Sequence, residues 1–256
     1  MLAFDVPGAR IATEFSDEGG QPVVQLHGLT SSRSRDRVLG MDLGRGLSGT
    51  RLLRYDARGH GESTGAMVPD DYRWTNLADD LLRLLDHWFP GERVHGVGPS
   101  MGAGTLLHAA VREPERFSSL TLMVPATAWG TRSAKAEEYR RSADIVEQKG
   151  LSAFVASGAD SPRPPASADA PPTLPAVAES LLPSVLRGAA LSDLPSLDDI
   201  TAIAVPTTIL AWIDDPAHPL STAQTLVDTL PNASLTVART PDDLAQWPTL
   251  LHDSLA

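Results

Sequence analysis

The sequence predicts an α/β fold in which a mostly parallel central sheet carries helices on both faces. Three observations predict it. Short apolar runs of strand length alternate with longer amphipathic stretches of helical spacing. The pentapeptide Gly98-Pro99-Ser100-Met101-Gly102 sits directly between one such strand and one such helix. A length of 256 residues with 42% hydrophobic content fits one α/β domain with a full core around its sheet.

In chain order, the residues up to Phe15 read as one or two antiparallel edge strands. Residues 22–26 (PVVQL) form a buried strand and residues 51–55 (RLLRY) the next. Residues 72–88 have helical spacing. Leu77, Leu81, Leu84, Leu85 and Trp88 share one stripe, with acids and arginines opposite, so the leucines belong to the core. Residues 93–97 (RVHGV) make a third strand. Residues 101–112 make an alanine-rich helix closed by Pro114, whose ring cannot continue it. Strands follow at 119–124, at 205–212, where a proline at the start costs no central ladder bond, and at 233–238. Residues 242–255 read as a closing helix.

Between Pro125 and Pro206 the alternation stops. Residues 134–149 are helical and charge-rich, and residues 181–186 suggest another helix. Residues 161–175 (SPRPPASADAPPTLP) hold six prolines in 15 positions, which excludes a regular helix or strand. The expected organisation is a core of residues 1–125 and 205–256, interrupted at 126–204 by a helical lid insertion with a proline-rich loop. The competing reading is a linker between two domains. It leaves only about 50 residues after the prolines, too few for a second α/β domain.

Composition removes several function classes. With 32 acidic and 21 basic residues the formal charge is −11, which disfavours nucleic acid or an anionic membrane as partner. The absence of cysteine excludes a disulfide framework, Cys-ligated metal and a cysteine nucleophile. The start MLAFDVPGAR has neither the basic residues nor the apolar run of a secretory leader, and no apolar run is long enough for a span. A cytoplasmic protein acting on a small molecule is expected. No ligand cluster or phosphate loop implies a metal or organic cofactor, and a homo-oligomer stays open.

Three glycine-bearing turns carry the chemistry. G-x-S-x-G between a strand and a helix forces a tight turn that presents the Ser100 hydroxyl at the carboxyl edge of the sheet. The helix amino end beneath it offers unpaired N–H groups to a developing oxyanion. In His27-Gly28-Leu29-Thr30-Ser31-Ser32, Gly28 lets the chain bend back, so the Leu29 N–H can join that of Met101 as a second oxyanion donor. His27 is expected to brace this loop. In Tyr55-Asp56-Ala57-Arg58-Gly59-His60-Gly61-Glu62-Ser63, Asp56 and Arg58 read as loop-holding ion-pair partners and His60 as structural.

HGLTSS, YDARGHGES and GPSMG, in this order and spacing, resemble the α/β-hydrolase fold superfamily over nearly the whole chain. The resemblance implies a variable lid between Pro125 and Val205, and a triad in the order serine, acid, histidine. It places the acid after the penultimate strand. Matching G-x-x-D to Trp212-Ile213-Asp214-Asp215 makes Asp215 the first choice and Asp214 the second, since one of the two can serve as a turn cap. The histidine departs from the pattern. The loop after the last strand reads Ala238-Arg239-Thr240-Pro241-Asp242-Asp243 and contains none. His252 falls inside the closing helix. His60 and His108 are outside candidates for the base, His108 lying eight residues into the helix after the serine, where it is expected to point away from the hydroxyl. His218, three residues beyond Asp215, could take the Ser100 proton while Asp215 or Asp214 holds its other nitrogen.

The leading expectation is a serine hydrolase cleaving an ester or lactone of a small to medium apolar metabolite. Trp129, Leu151, Phe154 and Val155 of the insertion suggest an apolar pocket. Two other readings remain: a non-hydrolytic lyase, cyclase or isomerase of a natural-product pathway, and a ligand-binding protein that has lost hydrolysis.

Overall fold

A computed structural model describes residues 2–158 and 161–255. Positions 1, 159, 160 and 256 of the expected segments lie outside the described residues. Eight strands form one sheet: β1 (Leu2–Val6), β2 (Ala9–Asp17), β3 (Gln21–Gln25), β4 (Thr50–Tyr55), β5 (Val94–Pro99), β6 (Phe117–Met123), β7 (Thr207–Trp212) and β8 (Ala233–Ala238). Their order is β1-β2-β4-β3-β5-β6-β7-β8. β1, at the edge of the sheet, is antiparallel to β2, β2 is antiparallel to β4, and every later pairing is parallel.

Both faces of the parallel strands are buried, so successive residues of one strand enter different cores. Val24, Leu53, Leu122 and Ile209 face one core with α2 (Trp74–Trp88) and α3 (Met101–Arg112). Their neighbours Val23, Leu52, Met123 and Leu210 face the other, which is closed by Met41, Trp247 and Leu251. The leucine stripe of α2 is buried as its spacing requires.

Two helices lie outside the segments expected from the sequence. In α1 (Arg33–Leu39), four of seven residues are charged. The helix is set instead by Ser32, which accepts the Arg35 N–H as N-cap, and by Gly40, which ends it at φ 72°. The short α7 (Leu220–Thr229) follows Pro219.

The connection from β6 to β7 carries three helices, α4 (Arg132–Ser157), α5 (Leu182–Ala190) and α6 (Leu197–Thr201). Helical backbone in α4 breaks at Gly150, with φ 80° and ψ 174°, one residue past the expected end. The Glu179 carboxylate accepts the Leu151 N–H there at 3.0 Å. In the proline-rich stretch only a single 3₁₀ turn forms, Pro165–Ser167. Its end is stitched down: Ala176 N–H donates to Thr30 O at 2.8 Å, and Gly61 N–H to Ala176 O at 2.6 Å. The closing helix is two pieces, α8 (Pro241–Leu244) and α9 (Trp247–Leu255). Pro248 explains the division, because its ring would meet the carbonyl four residues back and it has no N–H to give.

Candidate active site

The carboxyl ends of β3, β5, β6 and β7 converge on Ser100. Its backbone has φ 51° and ψ −107°, a conformation that costs of order 1–3 kcal/mol in a non-glycine residue and persists only where the surroundings enforce it. Here they do. The Ser100 N–H donates to Met123 O at 2.9 Å, and the Ser100 carbonyl accepts from Gly104 N–H at 3.0 Å. A Cβ at Gly98 would stand 2.9 Å from the Leu26 Cβ and 3.2 Å from the Gly102 carbonyl carbon. One at Gly102 would meet the same Leu26 atom at 2.9 Å and the His27 carbonyl at 3.0 Å. The two glycines therefore permit the crossing of β5, α3 and the β3 loop that pushes the serine outward.

His218 reaches this serine. Its Nε2 lies 2.8 Å from Ser100 Oγ, and its Nδ1 lies 2.7 Å from Asp215 Oδ2. Asp215 accepts two further bonds, from the Trp212 indole N–H at 2.8 Å and from the Ala217 N–H at 2.8 Å. Burial alone would raise the Asp215 pKa. The bonds from His218, Ala217 and Trp212 outweigh it and hold the carboxyl at about 2. With Asp215 an acceptor only, Nδ1 carries the proton and Nε2 is left to accept the serine O–H. Asp214 is turned away, exposed and at φ 60°, so the local backbone separates the two carboxylates.

The Leu29 N–H makes no hydrogen bond among the described residues, and the Met101 N–H, first in α3, has no intrahelical acceptor. Gly28, Leu29 and Ser100 border one cleft. His27 lies behind it, its Nδ1 against Gly28 O at 2.8 Å and its Nε2 accepting the Ala57 N–H at 2.9 Å. Burial lowers its pKa, so it braces the loop as a neutral ring. His60 packs against His27, with ring centroids 5.1 Å apart, and burial pushes it down to about 3. Asp56 accepts both the Arg33 backbone N–H, at 2.8 Å, and its guanidinium, at 3.1 Å; Arg58 pairs with Asp80 through two bonds of 2.7 Å. Both side chains hold the loop, each with a partner the motif does not contain. His108 bonds Asp193 O, and His252 is exposed on α9.

The cleft over Ser100 and His218 has a volume of about 370 Å³. A larger hollow of about 480 Å³, beside Pro69 and Arg187, shares none of its lining. Of the four apolar residues expected at the pocket, Phe154 lines the cleft, whereas Trp129 donates its indole N–H to Pro195 O and packs on the core. Polar residues that the motifs did not indicate also line it: Arg35 and Asp36 from α1, Lys135 and Glu138 from α4. Trp212 is a further residue unsignalled by pattern, since it stands where the family has glycine.

Asp36 accepts the Ser31 hydroxyl at 2.5 Å, while its Oδ2 is buried without a partner. Burial pushes its carboxyl up to about 7, against the Ser31 bond and with repulsion from Asp42 and Asp56. The native state thus holds this proton more tightly than the unfolded chain. The associated stability is full below the ordinary carboxylate pKa and is lost as pH rises through about 7. Asp36→Asn should remove that dependence. Its stability relative to wild type is expected to grow by roughly 2 kcal/mol between pH 5 and pH 8, read from urea midpoints. An offset equal at both pH values would mean that Asp36 does not titrate in this window.

A strained serine at a strand-to-helix turn, faced by an imidazole and a carboxylate at the carboxyl edge of a parallel sheet, defines the nucleophile-elbow class of α/β proteins. The chain belongs to the alpha/beta hydrolase fold family, whose model matches residues 21–159. It is 32% identical over 155 residues to a putative 2-succinyl-6-hydroxy-2,4-cyclohexadiene-1-carboxylate synthase of Bacillus subtilis, covering 58% of this chain and 54% of that one. It is 35% identical over 107 residues to 3-oxoadipate enol-lactonase 1 of Acinetobacter baylyi, covering 42% and 37%. The chain thus spans about half or less of the length of these curated relatives. The enol-lactonase structure from Burkholderia xenovorans superposes with a TM-score of 0.80 at 20% identity, covering 99% of both chains, a likeness of fold.

Proposed function

We propose that this chain is a serine hydrolase of esters or lactones of small to medium metabolites, with Ser100 as nucleophile, His218 as general base and acid, and Asp215 as its orienting partner. The observation that carries the reading is the 2.8 Å approach of His218 Nε2 to the oxygen of a serine held at φ 51°. In the reaction, Nε2 takes the hydroxyl proton as Oγ bonds to the carbonyl carbon. The resulting oxyanion lies against the Leu29 and Met101 N–H groups. The imidazolium then gives its proton to the departing oxygen, and water repeats the sequence on the acyl-enzyme. The segment 126–204 acts as the lid, with Phe154 and Tyr139 forming its lining over the cleft.

A fluorophosphonate should add one equivalent of mass at Ser100, and p-nitrophenyl butyrate should turn over. Loss of both in Ser100→Ala is expected, and labelling of the alanine variant to the same extent would sink the assignment. The relative named as a synthase favours a second reading, in which the same groups perform a non-hydrolytic reaction. Adduct formation without turnover of any ester would support that reading over hydrolysis.

A further inference from the structure

We propose that Arg35 anchors a carboxylate on the substrate, so that the preferred esters or lactones carry a second, unreacting acid group. This rests on the hydrolytic reading above and adds the substrate class to it.

Arg35 lines the same cleft as Ser100 and His218. Its guanidinium is fixed by neutral acceptors only: Nε donates to Thr173 Oγ1 at 2.8 Å, and Nη1 donates to Thr30 O at 2.8 Å and to Thr30 Oγ1 at 3.2 Å. Nη2 has no acceptor among the described residues. No carboxylate among them lies within ion-pair distance of Arg35, in contrast to its neighbours. Arg33 pairs with Asp56 and Glu62, Arg37 with Glu14 and Asp42, and Arg54 with Asp42. The other cation of the cleft, Lys135, is paired with Glu138 at 2.8 Å. Arg35 is therefore the one unmatched positive charge in the cleft lining among the described residues.

The neutral acceptors orient the guanidinium without neutralising it. A planar donor edge already aimed and partly desolvated binds carboxylate with little reorganisation, and the interaction is stronger there than on open surface. Burial lowers the Arg35 pKa, which is a desolvation cost no protein carboxylate fully offsets and an incoming anion would recover. The adjacent Asp36 is engaged with Ser31; it raises the Arg35 pKa through space, against the larger effect of burial, without forming an ion pair with it. In a chain of net charge −11, an acidic ligand meets repulsion elsewhere, which makes a local unpaired cation selective.

The alternative is that Arg35 only staples the loop at Thr173 to the turn at Thr30. The test compares mono-p-nitrophenyl esters of succinate, glutarate and adipate with their methyl-capped neutral counterparts. Wild type is expected to prefer at least one acid ester by tenfold or more in kcat/KM, and the preference should shrink as NaCl rises. Arg35→Gln should lower that preference ratio by 10- to 100-fold, chiefly through KM, and Arg35→Lys should recover part of it. Thr173→Val, which removes the Nε acceptor and keeps the charge, should lower the ratio by clearly less than Arg35→Gln does. An unchanged ratio in Arg35→Gln, no acid preference in wild type, or an equal loss in Thr173→Val would overturn the proposal. If wild type hydrolyses none of these esters, the hydrolytic reading fails by itself. Calorimetric titration of glutarate and adipate into wild type and Arg35→Gln then decides for Arg35: binding confined to wild type supports the anchor, and equal or absent binding overturns it.

Discussion

His218→Ala is expected to lower kcat/KM for p-nitrophenyl butyrate by about 10³-fold or more, the usual scale for removing the base of a serine triad. The expectation follows from geometry. Only this imidazole is placed on the Ser100 oxygen; His27, His60 and His108 spend their ring nitrogens on backbone groups or in the buried loop. His252→Ala on the exposed face of α9 should stay within twofold of wild type. A His218→Ala enzyme with near wild-type turnover would place the base elsewhere and remove the relocated triad from consideration.

Asp215→Asn is expected to cost about 10³- to 10⁴-fold in kcat, because the amide no longer enforces the proton on Nδ1. The Ala217 N–H, which donates to Oδ1, would hold the amide oxygen at that position and leave the NH₂ in place of Oδ2, facing both the imidazole and the Trp212 indole N–H. That favours the tautomer with the proton on Nε2, which cannot accept from serine. Since the wild-type carboxyl is held at about 2, Asp215 is ionised throughout pH 5 to 9, and the loss should appear at every pH in that range. A deficit confined to the acidic end would mean that Asp215 acts by titrating. Asp214→Asn, on an exposed carboxylate outside these contacts, serves as the matched control.

The fold was legible because each central strand writes its burial as an apolar run and each flanking helix writes its stripe. Where the pattern failed, other forces set the element. The charged α1 is held by a Ser32 cap and a Gly40 stop, which hydropathy does not record. The division of the closing helix follows from Pro248, a signal present in the chain but outweighed there by the apolar periodicity around it. At the site, Ser100 could be picked out by its motif between a strand and a helix, and Asp215 and His218 as candidates by what the family resemblance implied for the turn after β7. Arg35, Asp36 and the cleft face of α4 could not, because their placement depends on how α1 and the 126–204 segment pack over the sheet. The same limit applies to Trp212. Its indole replaces the space a glycine would leave, and its use as a donor to Asp215, stacked on Trp247 at 6.1 Å, is a tertiary fact.

Asp215 and His218, the proposed acid and base, stand three residues apart on one turn, and the loop after β8 carries no histidine. In the usual arrangement two separate loops must keep their mutual distance through every insertion and deletion that evolution tries. Here one heptapeptide from Trp212 to His218 carries both groups and the indole that bonds the carboxylate, so their mutual spacing is set within a single turn. On the proposed triad the loop after β8 takes no part in proton transfer, and what the segment following it contributes to the site is Trp247, stacked on Trp212 with ring centroids 6.1 Å apart.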